Sequence, residues 1–281
     1  MIEYKVNFAG CDCAVVEWNP QASTTVFAFH GWLDNLVSFE TVSTYMPEIH
    51  LVAVDFPGHG HSDHLPPGFS YNFVDSLFLI DEVADHFNCK SVNLLGHSMG
   101  GAISTLYAAA RPNRVNKVAL IESIGPLTAD DSQVTELLRR AMNQRAIIKD
   151  KLKPVYENFA QALKARSEAS SIDEQLIKPL VERGLIKVEG GYTWRADSRL
   201  RITSPVRMSE SHLLMALKDI VAPILLIEAD AGLLQEKNLI DKRKENISEL
   251  QTEIISGGHH VHLEKPQICG KMISDFFLKS V

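Results

Sequence analysis

The stretch VNLLGHSMGG, residues 92–101, constrains this chain more than any other. An apolar run of strand character leads into Gly96, and a small-residue segment of helix character, AISTLYAAA, follows Gly101. Passing from strand to helix in so few residues forces the backbone close to itself, so the positions two before and two after Ser98 must be small. Both Gly96 and Gly100 are glycine. The turn holds the Ser98 hydroxyl clear of the sheet at the start of a helix, where the Met99 amide can face a developing oxyanion.

The rest of the chain supplies the surroundings such a turn requires. Short runs rich in Val, Ile and Leu occupy 25–29, 51–54, 92–95, 117–121 and 224–227, and a last strand is expected at 252–255. Helix-like segments at 38–45, 72–87 and 99–110 lie between several of them. This alternation predicts an α/β fold with a mainly parallel central sheet flanked by helices. The alternation lapses from about Gly125 to His212, where the chain is charged and helix-prone and then turns to GGYTWRADSRLRITSP. The remaining C-terminal residues are too few to bury a core alone. We therefore expect a core of residues 1–124 and 213–281 with an inserted helical cap over 125–212.

Composition narrows the function. A formal net charge of -7, with Lys and Arg scattered, gives no electrostatic footprint for nucleic acid. No basic leader with an apolar stretch opens the chain, and no uninterrupted apolar run is long enough to span a bilayer, so a cytoplasmic protein without a membrane partner is expected. The four cysteines, Cys11, Cys13, Cys89 and Cys269, are too dispersed for a disulfide framework and read as free thiols. Oligomeric state is not encoded in any pattern found.

With its strand before and helix after, the Gly96-His97-Ser98-Met99-Gly100 motif resembles that of α/β-hydrolase-fold enzymes. That resemblance extends to FAFHGWLDN, where His30-Gly31 precede Trp32, whose amide would be the second oxyanion donor. It also extends to VDFPGHGHSD, residues 54–63, similar to the family's D-x-x-G-x-G-x-S supporting loop. Near the C-terminus, SGGHHVHLEKP resembles the family's H-x-x-H-L-E-x-P ending and maps the general base onto His259. His260 and His262 are then neighbours for orientation or packing, with His260 the alternative base.

The same loop carries a rival. His59, His61, Asp63 and His64 spell the H-x-H-x-D-H zinc motif of metallohydrolases, and their donor types suit zinc. That reading leaves the serine turn unexplained, and His86, His97 and His212 lack the spacing of further ligands. No metal and no cofactor are expected. A non-catalytic binder on a hydrolase scaffold is the other alternative.

The acid is the hardest assignment. Many hydrolases of this fold carry it after the penultimate strand in a pattern like L-I-x-G-x-x-D. Laid on LLIEADAGLL, the pattern puts Gly232 where the aspartate belongs, with Asp230 two residues early. The other place for the acid is the strand end after the nucleophile helix, here Glu122 in KVALIESIGPL. The closest resemblance is to the serine hydrolase-like family, through HGW-x-DN (30–35), an acid before a G-P exit (122–126), G-G-x-T-W-R (190–195) and G-G-H-H (257–260). It implies a Ser98, His259, Glu122 triad acting on small to medium carboxylic esters, with Asp230 the fallback acid. Dehalogenase and epoxide hydrolase chemistry uses an aspartate nucleophile and is disfavoured by Ser98. Trp194, in the insertion, and His97, beside the serine, are expected to contact substrate, although Trp194 equally suits packing.

Overall fold

The computed structural model describes residues 2–8, 10–148 and 153–279. Its centre is an eight-stranded sheet in the order β1-β2-β4-β3-β5-β6-β9-β10. The strands are β1 (Ile2–Phe8), β2 (Cys11–Trp18), β3 (Thr24–Phe29), β4 (Ile49–Val54), β5 (Val92–His97), β6 (Val115–Ile121), β9 (Ile224–Ala229) and β10 (Leu250–Ile255). From β4 to β10 every neighbouring pair is parallel, whereas β1 pairs antiparallel with β2, and β2 with β4. The N-terminal hairpin was not anticipated from sequence. In β1 only Phe8 is buried, so this exposed edge strand lacks the apolar run that marks its buried neighbours.

Side chains alternate across the sheet, and this builds a core on each face. Phe27, Phe29, Val118, Leu120, Ile224 and Leu226 join one cluster, and Val26, Ala28, Ala119, Ile121, Leu225 and Ile227 join the other. The first face is covered by α2 (Asp75–His86), α3 (Met99–Ala110), α7 (Glu210–Lys218) and α8 (Lys237–Glu245). The second is covered by α1 (Glu40–Ser43), α6 (Glu174–Gly184), α9 (Val261–Glu264) and α10 (Pro266–Leu278). Because strands such as β9 are buried on both faces, truncating Leu225 or Leu226 to alanine costs about 2–5 kcal/mol.

Between β6 and β9 the described residues add no strand to this sheet. They form α4 (Val134–Ile148), α5 (Phe159–Ser170), α6, the antiparallel hairpin of β7 (Leu185–Val188) with β8 (Gly191–Trp194), and then α7. Residues 149–152 of the expected insertion lie outside the described residues. Two findings refine the sequence reading. The GGYTWR segment is a β-hairpin, not part of a wholly helical unit. The expected boundary at residue 213 falls inside α7, whose Leu213 and Leu217 belong to the sheet core.

Two buried ion pairs hold the segment to the sheet. Arg183 of α6 reaches the fully buried Asp55, which also accepts from the amides of Leu36 (2.7 Å) and His61 (2.8 Å). Arg166 of α5 reaches the buried Asp34 at 2.5 Å. Removing either partner leaves an uncompensated charge in the interior, so these contacts resist opening.

Candidate active site

Ser98 sits between β5 and α3 at φ 51°, ψ -115°, a left-handed conformation that L side chains rarely adopt. Its amide donates to the Ile121 carbonyl at 3.0 Å, which ties the turn to β6. The flanking glycines are sterically required. A Cβ on Gly96 would lie 2.5 Å from the Gly101 Cα, and one on Gly100 would lie 1.9 Å from the Phe29 carbonyl oxygen. The glycine spacing in sequence thus reports contact between β5, α3 and β3.

A continuous chain of three side chains runs from this turn. His259, in the loop after β10, has Nε2 2.9 Å from Ser98 Oγ, and its Nδ1 lies 3.4 Å from Glu122 Oε2. Burial pushes the His259 imidazole below its ordinary pKa, opposed by the Glu122 carboxylate, so the ring is a free base at neutral pH. Glu122 leaves β6 at φ 52°, with its side chain fully buried, and accepts from the amides of Ala229 (2.7 Å) and Leu233 (2.6 Å). Both amides belong to the end of β9 and the loop that follows. The Glu122 carboxylate therefore crosses from β6 into the space beside β9.

Gly232 explains why there is room. A Cβ there would stand 2.0 Å from Glu122 Oε2 and 2.3 Å from its Cδ. The position where the hydrolase pattern carries an aspartate is filled in space by a carboxylate from the neighbouring strand. Asp230 is exposed instead, and its Oδ1 accepts from the Gly257 amide at 3.0 Å, which lowers its pKa. It braces the β9 and β10 loops.

Trp32 follows His30 and Gly31 after β3. Phe56 donates to His30 Nε2 at 3.1 Å, which places the hydrogen of the neutral ring on Nδ1, where it donates to the Gly31 carbonyl at 2.8 Å. Burial lowers the pKa of this histidine to about 4. The His30 carbonyl accepts from Gly100 at 3.1 Å, so the loop bearing Trp32 is fixed to the turn bearing Ser98. Among the described residues, the amides of Trp32 and Met99 make no hydrogen bond. The Trp32 indole is half exposed and donates to the Leu200 carbonyl at 2.9 Å.

His97, expected at the substrate, has a fully buried ring whose Nε2 donates to the His259 carbonyl at 2.9 Å. Trp194 packs edge-on against Tyr156 with centroids 6.0 Å apart, and with Leu33, Asp34 and Arg166 it lines a cavity of about 20 Å³. That is room for one water. No hydrogen bond or ring contact among the described residues joins Trp194 to Ser98, His259 or Glu122. His260, the alternative base, points to Asp34 at 3.2 Å, and His262 to Ser38 at 2.6 Å.

The four residues of the zinc motif diverge. His59 turns to the Pro57 carbonyl at 3.2 Å, His61 to Glu3 at 2.8 Å, Asp63 to Lys5 at 2.5 Å and His64 to the Arg195 carbonyl at 2.9 Å. Ligands of one metal must face a common centre, and these face four different partners.

A serine turn, a histidine from the last loop and a carboxylate from the strand after the turn helix, on a mostly parallel sheet, define a class. A family model described as the alpha/beta hydrolase fold matches residues 24–266, and the chain belongs to this hydrolase family. Within it, the chain is similar to serine hydrolase-like proteins. One from Danio rerio is 29% identical over 92% of this chain and 83% of its own length, and one from Dictyostelium discoideum is 30% identical over 96% and 79%. Among solved structures, a hypothetical protein of Pseudomonas aeruginosa superposes with TM-score 0.94 at 32% identity, covering 99% of each chain. No helix among the described residues is long and apolar enough to cross a membrane.

Proposed function

We propose that the protein is a cytoplasmic serine hydrolase that cleaves small to medium carboxylic esters through an acyl-enzyme, without a cofactor. The observation that carries this reading is the 2.9 Å approach of His259 Nε2 to Ser98 Oγ, with Glu122 behind the ring. In the first half-reaction Ser98 Oγ attacks the ester carbonyl while its proton passes to His259 Nε2. Glu122 stabilises the imidazolium, and the free amides of Trp32 and Met99 donate to the carbonyl oxygen as it becomes an oxyanion. Collapse of the tetrahedral intermediate breaks the bond to the alkoxy oxygen, which takes the proton back from His259. Water, deprotonated by the same ring, then attacks the acyl-serine and releases the acid. Residues 125–212 act as a cap over the site, fastened by Arg166 and Arg183.

Thioesters react through the same groups, and a thioesterase domain from the curacin biosynthetic pathway, 25% identical with TM-score 0.87, makes them the second substrate class. The test is labelling by a fluorophosphonate probe, followed by a panel of p-nitrophenyl esters and acyl thioesters of graded chain length. Labelling confined to Ser98 and ester turnover abolished in Ser98→Ala are expected. Folded protein that takes no label would favour a non-catalytic binder.

A further inference from the structure

Behind the serine and histidine lies a second, largely buried polar cluster that the reaction as described does not use. At its centre is the carboxylate of Asp34, in the loop after β3. Its Oδ1 receives Arg166 of α5 at 2.5 Å. Its Oδ2 receives His260 Nε2 at 3.2 Å and lies 3.6 Å from His97 Nδ1. Burial alone would raise the Asp34 pKa, but His260 and Arg166 hold it well below the usual carboxylate range, so it is an anion. His97 and His260 are the chain neighbours of Ser98 and His259.

The hydrogens in this cluster can be assigned. A carbonyl oxygen only accepts, so His97 carries its hydrogen on Nε2, where it donates to the His259 carbonyl at 2.9 Å. His260 likewise donates from Nε2 to Asp34. The His97 ring packs at a tilt against those of His259 and His262, with centroids 4.8 Å and 4.3 Å away. A Cβ on Gly31 would come within 2.9 Å of Asp34 Oδ2 and 3.0 Å of His97 Nδ1, so the packing around the pair is tight. His259 itself has two side-chain partners, and its backbone is held from below by His97 and from the side by the anchored His260.

We propose that Asp34 is a positioning residue: it fixes the backbone of His259 through the neighbouring His260, and through Arg166 it makes that fixation depend on the seating of cap helix α5. This rests on the reading of His259 as the base. The consequence is that the cap seam and the reactive histidine share one carboxylate. Loss of the cap contact slows the chemical step even though Arg166 touches no reacting atom. A displacement near one ångström at a reacting group lowers turnover by about 10²-fold, which sets the ceiling of the effect.

The experiment compares Asp34→Asn, Arg166→Met, Arg166→Lys and Ser98→Ala in steady-state hydrolysis of p-nitrophenyl butyrate, with melting temperature and the rate of fluorophosphonate labelling measured on the same samples. Asp34→Asn is expected to lower kcat by about 10- to 100-fold with KM within about threefold, and to slow labelling in parallel. Arg166→Met should move kcat the same way by a smaller factor, and Arg166→Lys, which keeps the charge, should recover at least half of the loss. A folded Asp34→Asn enzyme with kcat within twofold of the parent, or a change confined to KM, overturns the proposal. Should Asp34→Asn fail to fold, Arg166→Met decides: unchanged kcat overturns the proposal, and a loss rescued by lysine upholds it. Ser98→Ala separates the two levels, because retained turnover there removes the serine mechanism and the proposal with it.

Discussion

Gly232→Ala adds a single methyl group to the protein and should disable it. The new Cβ would stand 2.0 Å from Glu122 Oε2 and 2.4 Å from Oε1, whereas ordinary contact begins at 3.4 Å, so the carboxylate must withdraw by more than an ångström. Its link to His259 Nδ1 is already 3.4 Å long and does not survive such a shift. The bonds from Ala229 and Leu233 weaken with it, leaving a buried carboxylate short of donors. Misplacement of this order costs about 10² in rate and complete loss of the acid about 10⁴, that is about 2.7 to 5.5 kcal/mol of transition-state stabilisation. The assay is kcat for an activated ester, with circular dichroism to show that the fold persists. A compensating pair sharpens the test. Glu122→Gly with Gly232→Asp returns a carboxylate to the same space from β9 and should exceed Glu122→Gly alone by at least about tenfold, because the histidine regains its partner. Parental kcat in Gly232→Ala would refute the claim that the vacancy at residue 232 exists to house Glu122.

Further outcomes follow from the same geometry. Glu122→Gln should lower kcat by about 10³- to 10⁴-fold, while Asp230→Asn, which alters an exposed turn carboxylate, should stay within about threefold; steady-state kinetics of the pair ranks them. Gly100→Ala drives a Cβ to 1.9 Å from the Phe29 carbonyl and should cost about 3 kcal/mol or more, read as a lowered denaturation midpoint. The pH dependence of kcat/KM should show an acid limb with its midpoint below the ordinary histidine value of 6.5, since burial depresses the His259 pKa and the neutral ring is the active form. Stability should fall over the same range. His30 and His59 are held neutral with pKa values of about 4 and about 3, against 6.5 unfolded, so as pH drops below 6.5 the unfolded chain binds protons that the folded chain refuses. Each contributes a loss of about 1.4 kcal/mol per pH unit until its folded pKa is reached, visible as a falling melting temperature between pH 6.5 and 4.

What was legible in the sequence was whatever local backbone geometry dictates. Gly96 and Gly100 announced the serine turn because no larger residue fits there, and the double-sided burial of β3, β6 and β9 appeared as unbroken apolar runs. The N-terminal hairpin escaped because the exposed β1 carries no such run. Gly232 at the usual acid position pointed away from β9, but only the fold revealed that the glycine makes space for Glu122, 107 residues from the Ala229 amide it binds. His97 adjoins Ser98 in sequence, which suggests the pocket, whereas its ring lies in the interior among those of His259, His260 and His262. The residues around Asp34 stood in quoted motifs, Asp34 in HGW-x-DN and His260 in G-G-H-H, but their meeting with Arg166 did not show, since the partners stand 132 and 226 residues away from Asp34.

The central claim is that acyl transfer passes through Ser98. Mixing the enzyme with a p-nitrophenyl ester, quenching with acid during turnover and mapping the peptides by mass spectrometry tests it directly. A mass increase equal to the acyl group, confined to the peptide bearing Ser98 and absent from Ser98→Ala, is the predicted result. Sustained turnover by Ser98→Ala, or an acyl adduct on another residue, would contradict it.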